Sequence, residues 1–191
     1  EFHNKLHQTQ GLERKNQSKF YKALHVLYQD FLEKLKNEID NKDVMDFGCG
    51  TGNFTERVIN FNPKKILAID ISEEAIKNAK NKLNPNHNNI EYRVENCEKL
   101  NIDSNSFDVV YGSGILHHLD LNQSLAEIKR ILKKNGKLIF IEPMATNPII
   151  NLYRKLTPNA RSADEHPFKL RDIKFIEDFF INVEIKYYGL F

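Results

Sequence analysis

The feature that most constrains this chain is an alternation. Apolar runs of four to six residues recur between stretches with helical spacing. Runs this short are strands rather than helices, and with little polar alternation they suit strands buried on both faces. The runs are Val44–Phe47, Lys65–Asp70, Ile90–Val94, Phe107–Tyr111 and Lys137–Ile141, with a sixth expected at Val183–Tyr188. Between them, Phe20, Leu24, Leu27, Phe31, Leu32 and Leu35 mark a helix from Ser18, stopped by Asn37 to Lys42. Further helices are expected over Asn53–Asn60, from the cap Ser72 to about Leu83, over Leu121–Lys133 closed by Asn135-Gly136, over Pro148–Leu156 and over Leu170–Phe180. Strand and helix in turn imply a parallel sheet with helices on both faces, an α/β fold. In such sheets ligands bind at the carboxyl ends of the strands, so residues just after strands carry the interest.

Composition narrows the class. The 191 residues are 40% hydrophobic and include 13 Phe, enough for one domain with a core and too apolar for global disorder. We read residues 1–17 as a loose polar arm and 18–191 as a single domain, with a substrate-side insertion at about 143–168. Lys and Arg number 28 against 26 acids, a net charge of +2 that disfavours a nucleic-acid partner. No apolar run approaches the roughly 18–20 residues that span a bilayer; peripheral membrane contact stays open. Two cysteines, Cys49 and Cys97, are too few for a disulfide scaffold or a cysteine zinc site, and they fit a reducing, cytoplasmic setting. No metal set is expected.

The first strand runs into Asp46-Phe47-Gly48-Cys49-Gly50-Thr51-Gly52-Asn53. Glycines there allow positive φ and let a ligand press on bare backbone. Asp70 ends the next strand 18 residues after Gly52, placed to accept the two hydroxyls of a ribose. The dinucleotide fingerprint fails at its third glycine, where Asn53 stands. Asp46 beside the glycines opposes a pyrophosphate and suits an ammonium group. A nicotinamide-dependent oxidoreductase is therefore the weaker reading.

At this point the motifs resemble those of class I S-adenosylmethionine-dependent methyltransferases, closest to the small-molecule branch that includes ubiquinone-type enzymes. Val44 to Gly52 is similar to the first motif and Ile69-Asp70-Ile71-Ser72 to the second. Asn96-Cys97-Glu98-Lys99-Leu100 is similar to the segment after strand three, and Phe107 to Leu119, then Leu132 to Leu138, to the approach to strand five. The resemblance covers about residues 40–145 and implies a Rossmann-like, doubly wound sheet. It also implies S-adenosylmethionine as cofactor, with S-adenosylhomocysteine as product. The backbone at Gly48, Cys49 and Gly50 would cradle the methionine part, with Asn53 and Gly112 nearby. Asp46 would act on the ammonium group, partly through water or backbone positioning. Asp70 would hold the ribose and Ile71 cover the adenine. Asn96, where the family usually has Asp, would accept the adenine amino group. Cys97 would offer its N–H, its side chain being a small buried hydrophobe.

Family geometry puts Gly112 to His118 beside the methyl group. His117 and His118 are the candidate bases, His117 ahead; one of two adjacent histidines also commonly serves as a helix cap or a core hydrogen-bonder. Tyr21, Arg154, Arg161 and His166 are candidate substrate contacts; Arg154, Arg161 and His166 suit a carboxylate or phosphate, or belong to a surface ion network pinning a lid. The acceptor expected is a small or lipid-like molecule. A non-catalytic S-adenosylmethionine-binding or regulatory module is the alternative. Oligomeric state is left open. The family sheet has seven strands against six counted, and the chain ends on the apolar Tyr187-Tyr188-Gly189-Leu190-Phe191. The expectation is a piece of a longer protein, or a gap filled by another chain or a moved strand.

Overall fold

A computed structural model describes residues 25–145 and 166–188. The elements follow in the order α1 (His25–Ile39), β1 (Asp43–Phe47), α2 (Thr55–Val58), β2 (Lys65–Asp70), α3 (Glu73–Lys82), β3 (Ile90–Val94), β4 (Phe107–Ser113), α4 (Leu121–Ile131), β5 (Leu132–Ile141) and α5 (Leu170–Phe179). The five strands form one sheet in the order β3-β2-β1-β4-β5, every pair parallel. The order reverses between β1 and β4. Loops after those two strands depart to opposite faces and leave a crevice at their carboxyl ends.

Period-two alternation sorts the side chains into two cores. Val44, Ile66, Ala68, Tyr92, Val109 and Tyr111 face one side, under Phe31, Leu35 and Ile39 of α1, Val58 of α2 and Ile76 and Ala79 of α3. Met45, Phe47, Leu67, Ile69 and Val110 face the other, under Leu125, Ile128 and Ile131 of α4, with Phe175, Ile176 and Phe179 of α5 at the rim. β1 is wholly buried from Val44 to Phe47, as the centre of a doubly covered sheet requires. Ser72 caps α3 as expected, its hydroxyl accepting the Ala75 N–H at 3.2 Å. No helix among the described residues is long and apolar enough to cross a membrane.

Four expectations need correction. Residues 183–188 are not a strand but a segment without regular secondary structure, lying against α1. Glu184 and Lys186 meet Lys34 and Asp30 of that helix at 3.0 and 3.3 Å, and the Tyr188 hydroxyl donates to Asp30. Among the described residues the segment joins no β-ladder, and its contacts with α1 run through side chains. α4 stops at Ile131, ahead of the Asn135-Gly136 signal, because Leu132 already pairs with Phe107. Lys133 is then drawn to Asp43 and Asp108 at 2.7 and 2.8 Å, and the strand absorbs Asn135 at φ 70° with a register shift between Phe107 and Val109. The helix expected over Asn53–Asn60 is only the single turn of α2, followed by a 3-10 turn at Ile59–Phe61. Asn62 at φ 55° then reverses the chain ahead of Pro63. β4 runs two residues past Tyr111, because Gly112 and Ser113 still pair with Phe140 and Ile141. The arm at 1–17, the Pro148–Leu156 helix and most of the 143–168 insertion lie outside the described residues, as do Tyr21, Arg154 and Arg161.

Candidate functional site

Two turns meet in the crevice. One follows β1 and holds the glycines; the other follows β4 and holds His117 and His118. Gly48, at φ +77°, packs so closely on Ile115 of the second turn that a Cβ there would lie 2.5 Å from Ile115 Cγ1. At Gly112 a Cβ would lie 2.6 Å from the Phe140 ring and 2.7 Å from the Phe47 carbonyl oxygen. Gly112 is buried and serves the close approach of β4 to β1 and β5.

Beneath the glycine turn lies a polar cluster. Asp46 points to the α1–α3 side, like Val44 two residues before it, and its ladder neighbour on β4 is Tyr111. Asp46 is 2% exposed, and its Oδ2 accepts from Tyr111 Oη at 2.8 Å and from Thr55 Oγ1 at 2.7 Å. Burial pushes its carboxyl up to about 6, against the pull of those two hydroxyls. Burial also raises the Tyr111 phenol well above its usual value. Oδ1 accepts no hydrogen bond among the described residues. Asp46 thus ties β1 to β4 and to the helix that the glycine turn opens. Tyr111 and Thr55 went unseen in the sequence, although Tyr111 stands two residues after Val109 just as Asp46 stands two after Val44.

Asp70 closes the turn from the neighbouring strand. Its Oδ2 accepts the Gly50 N–H at 2.8 Å and its Oδ1 the Ser72 N–H at 2.9 Å. Each oxygen keeps a lone pair for a further donor. Beside it Ile71 is 54% exposed, an apolar side chain left uncovered next to a carboxylate. Cys49 gives its N–H to the Ile69 carbonyl at 2.8 Å, and burial pushes its thiol well above the usual range. Cys97 is 4% exposed with its thiol likewise pushed up by burial, so neither cysteine presents a thiolate. Asn96 is exposed at the end of β3; its side-chain oxygen accepts the Glu98 N–H at 2.9 Å. Asn53 is exposed and makes no hydrogen bond among the described residues. The residues present fit S-adenosylmethionine. A carboxylate with lone pairs to spare stands beside an uncovered apolar side chain, and a buried carboxylate oxygen beneath the turn lacks a donor among the described residues.

The β4 turn is held by a residue that the sequence reading passed over. Glu142 follows the last residue of β5, and its Oε1 accepts the N–H groups of Ile115 and Leu116 at 3.0 and 2.8 Å. Its Oε2 lies 2.7 Å from His117 Nδ1, with both side chains 7% exposed. His118 stacks on the His117 ring, centroids 4.0 Å apart. His166, exposed, gives its backbone N–H to the His117 carbonyl at 2.8 Å. Phe168 and Met144 form a parallel bridge close by, so both ends of the expected insertion are anchored at this turn. The signal for Glu142 was the one used for Asp70: an acid directly after an apolar strand. Among the described residues no group of three or more His, Cys, Asp or Glu is placed to hold a metal.

Comparison with known proteins places these residues in context. A family model described as a methyltransferase domain matches residues 45–140. The demethylmenaquinone methyltransferase of Lactococcus lactis is 31% identical over 135 residues, covering 69% of this chain and 53% of that protein. The ubiquinone/menaquinone biosynthesis C-methyltransferase of Rickettsia prowazekii is 33% identical over 130 residues, covering 63% and 51%. The chain spans about half the length of such curated relatives. A crystal structure of an S-adenosylmethionine-dependent methyltransferase from Mesorhizobium loti superposes with TM-score 0.53 at 25% identity, covering 59% of this chain and 52% of that one.

Proposed function

This chain belongs to the class I S-adenosylmethionine-dependent methyltransferases, and we propose on that premise that it methylates a small, lipid-like acceptor. The relatives' names point to a quinone-type ring as the kind of acceptor to test first. When bound, S-adenosylmethionine supplies a methyl group on a positively charged sulfur that departs as a neutral thioether. Asp70 would bind the ribose hydroxyls, Ile71 would cover an adenine face, and the backbone from Gly48 to Gly50 would cradle the amino-acid part. Asn96 and the Cys97 N–H would meet the base. Asp46 would act on the ammonium group chiefly by holding the turn in shape, since the side chain is buried beneath it.

One observation carries the reading: Gly48 of the glycine turn and Ile115 of the histidine turn are in contact. The turn that would hold the donor and the turn that carries His117 are one packed unit. Orientation of two reactants supplies much of such a rate, and a base adds to it where the acceptor carries a proton. His117 is the residue we assign to that role; His166 would face the acceptor.

Calorimetry with S-adenosylhomocysteine and with NAD is the first test. Binding of the first and not of the second is expected; the reverse would sink the reading. A screen with methyl-labelled donor and demethylated hydroquinones then reads transfer. His117→Gln should lower that turnover ~10²-fold or more with little change in S-adenosylhomocysteine affinity. Turnover of labelled methyl also separates an enzyme from a binding module that keeps the fold.

A further inference from the structure

We propose that Glu142 is a positioning residue that keeps the proton of His117 on Nδ1, leaving the Nε2 lone pair to take a proton from the acceptor. The inference deepens the assignment of His117 as base and rests on it.

The carboxylate does more than cap a turn. Capping needs only Oε1, which takes the Ile115 and Leu116 N–H groups at 3.0 and 2.8 Å. Oε2 makes its short contact with the ring, 2.7 Å to Nδ1, and only a long one of 3.4 Å with the His117 N–H. A group that accepts from three backbone N–H donors accepts from the ring as well. A neutral imidazole has one donor and one acceptor nitrogen, so Nδ1 donates and Nε2 is bare. Nε2 has no hydrogen-bond partner among the described residues.

The ring is also held against rotation. The stacked His118 ring lies 40° from parallel on one side of it, and the His166 N–H fixes the His117 carbonyl. Glu142 bonds to the same turn that carries the ring, so the carboxylate is fixed relative to the backbone from which the ring projects. Among the described residues the titratable groups in contact with the ring are Glu142 from the end of β5 and His118 from the turn, and His166 meets the His117 carbonyl through its backbone N–H.

This tautomer narrows the acceptor. A bare Nε2 serves a nucleophile that must lose a proton, a hydroxyl or an acidic C–H, and has no work to do for a tertiary amine or a thioether. As the acceptor's oxygen or carbon bonds to the methyl carbon, the methyl–sulfur bond breaks and its electron pair stays on sulfur. The acceptor's proton goes to Nε2, the imidazolium stands against the Glu142 carboxylate, and water then removes the proton.

The test is the tautomer itself, read by two-bond ¹H–¹⁵N correlation on the full chain labelled at histidine, at a pH where the ring is neutral. The parent should show His117 protonated at Nδ1. In Glu142→Gln the amide N–H₂ can donate to Nδ1, so the proton should move to Nε2. Turnover should then fall ~10²-fold or more while S-adenosylhomocysteine affinity holds. Glu142→Asp should keep the parent tautomer. A parent protonated at Nε2 overturns the proposal without need of any variant, and so does an unchanged tautomer in Glu142→Gln. Full turnover in His117→Gln overturns the proton-transfer step even with the expected tautomer. Absence of S-adenosylhomocysteine binding strikes the methyltransferase reading alone, because the tautomer is measured without ligand.

Discussion

The two halves of the crevice use one device to different ends. In the β1/β2 half, Asp70 ends a strand and ties down the loop of its neighbour through the Gly50 N–H at 2.8 Å. In the β4/β5 half, Glu142 follows a strand and ties down the loop of its neighbour through the Ile115 and Leu116 N–H groups. The first carboxylate stays partly open, beside the uncovered Ile71. The second is buried at 7% exposure and hands its polarity to a histidine. An open carboxylate keeps lone pairs for a ligand's hydroxyls. One with its side chain covered and spent on backbone and ring would instead orient that ring. The position of an acid after a strand thus says that it organises a loop, and its exposure says what for.

The largest effect is expected where the halves touch. Gly48→Ala places a side chain in left-handed backbone at φ +77° and 2.5 Å from Ile115 Cγ1. The conformation costs about 1–2 kcal/mol and the overpacking about 1–3 kcal/mol. Denaturant unfolding should show a loss of about 2–5 kcal/mol. Ile115→Ala in the same chain should recover the packing part and not the conformational part. If Gly48→Ala is as stable as the parent, the halves are separable and the comparison fails.

The next effect sets a third carboxylate against those two. Asp46 is buried without an N–H donor, and its carboxyl is raised to about 6 from 3.8. The folded state therefore disfavours the charged form. Stability relative to a neutral side chain is intact below the unfolded value and declines as pH rises through about 6. The shift corresponds to about 3 kcal/mol as an upper bound. Asp46→Asn keeps an oxygen for Tyr111 and Thr55. It should be more stable than the parent above that range, with the gap closing in acid. Equal pH profiles for the two chains would show that Asp46 is not buried as described.

Much of this was legible because it is local. The five runs, the Ser72 cap, the glycine turn and Asp70 lie within short windows, where spacing and punctuation carry the information. Asp46–Tyr111 and His117–Glu142 were not legible. Each joins residues on or just after different strands, 65 and 25 positions apart, and needs the register of β1 on β4 or the order of β4 and β5. The end of α4 failed for a related reason: pairing of Leu132 with Phe107 overrides the helix-stop signal at Asn135-Gly136.

Asp70→Ala sharpens the contrast between an open and a buried acid. It removes the Gly50 and Ser72 anchors together with the group expected on the ribose. Loss of a charged hydrogen bond costs about 1.5–3 kcal/mol, so S-adenosylhomocysteine affinity should fall tenfold or more in calorimetry. Asp70→Asn keeps one acceptor oxygen and should lie between the two. Unchanged affinity in Asp70→Ala would remove the carboxylate from the recognition role.

The smallest effect belongs to residues 183–188, which stand outside both halves. Their ties to α1 include the exposed pairs Lys34–Glu184 and Lys186–Asp30, at 3.0 and 3.3 Å. Exposed pairs of this kind are screened by water and salt and contribute little. The hydrogen bond to Lys34 holds the exposed Glu184 carboxyl below its usual range. Glu184→Gln should therefore leave the melting temperature unchanged within error. The backbone supplies the sharper measurement. A sixth strand would bury its N–H groups in a ladder with β5 and exchange them as slowly as that strand does. A segment held through side chains leaves its N–H groups to water. Hydrogen exchange at 183–188 should be fast beside that of Val109 to Tyr111 at the centre of the sheet. Slow exchange there would place the segment in the sheet as a sixth strand.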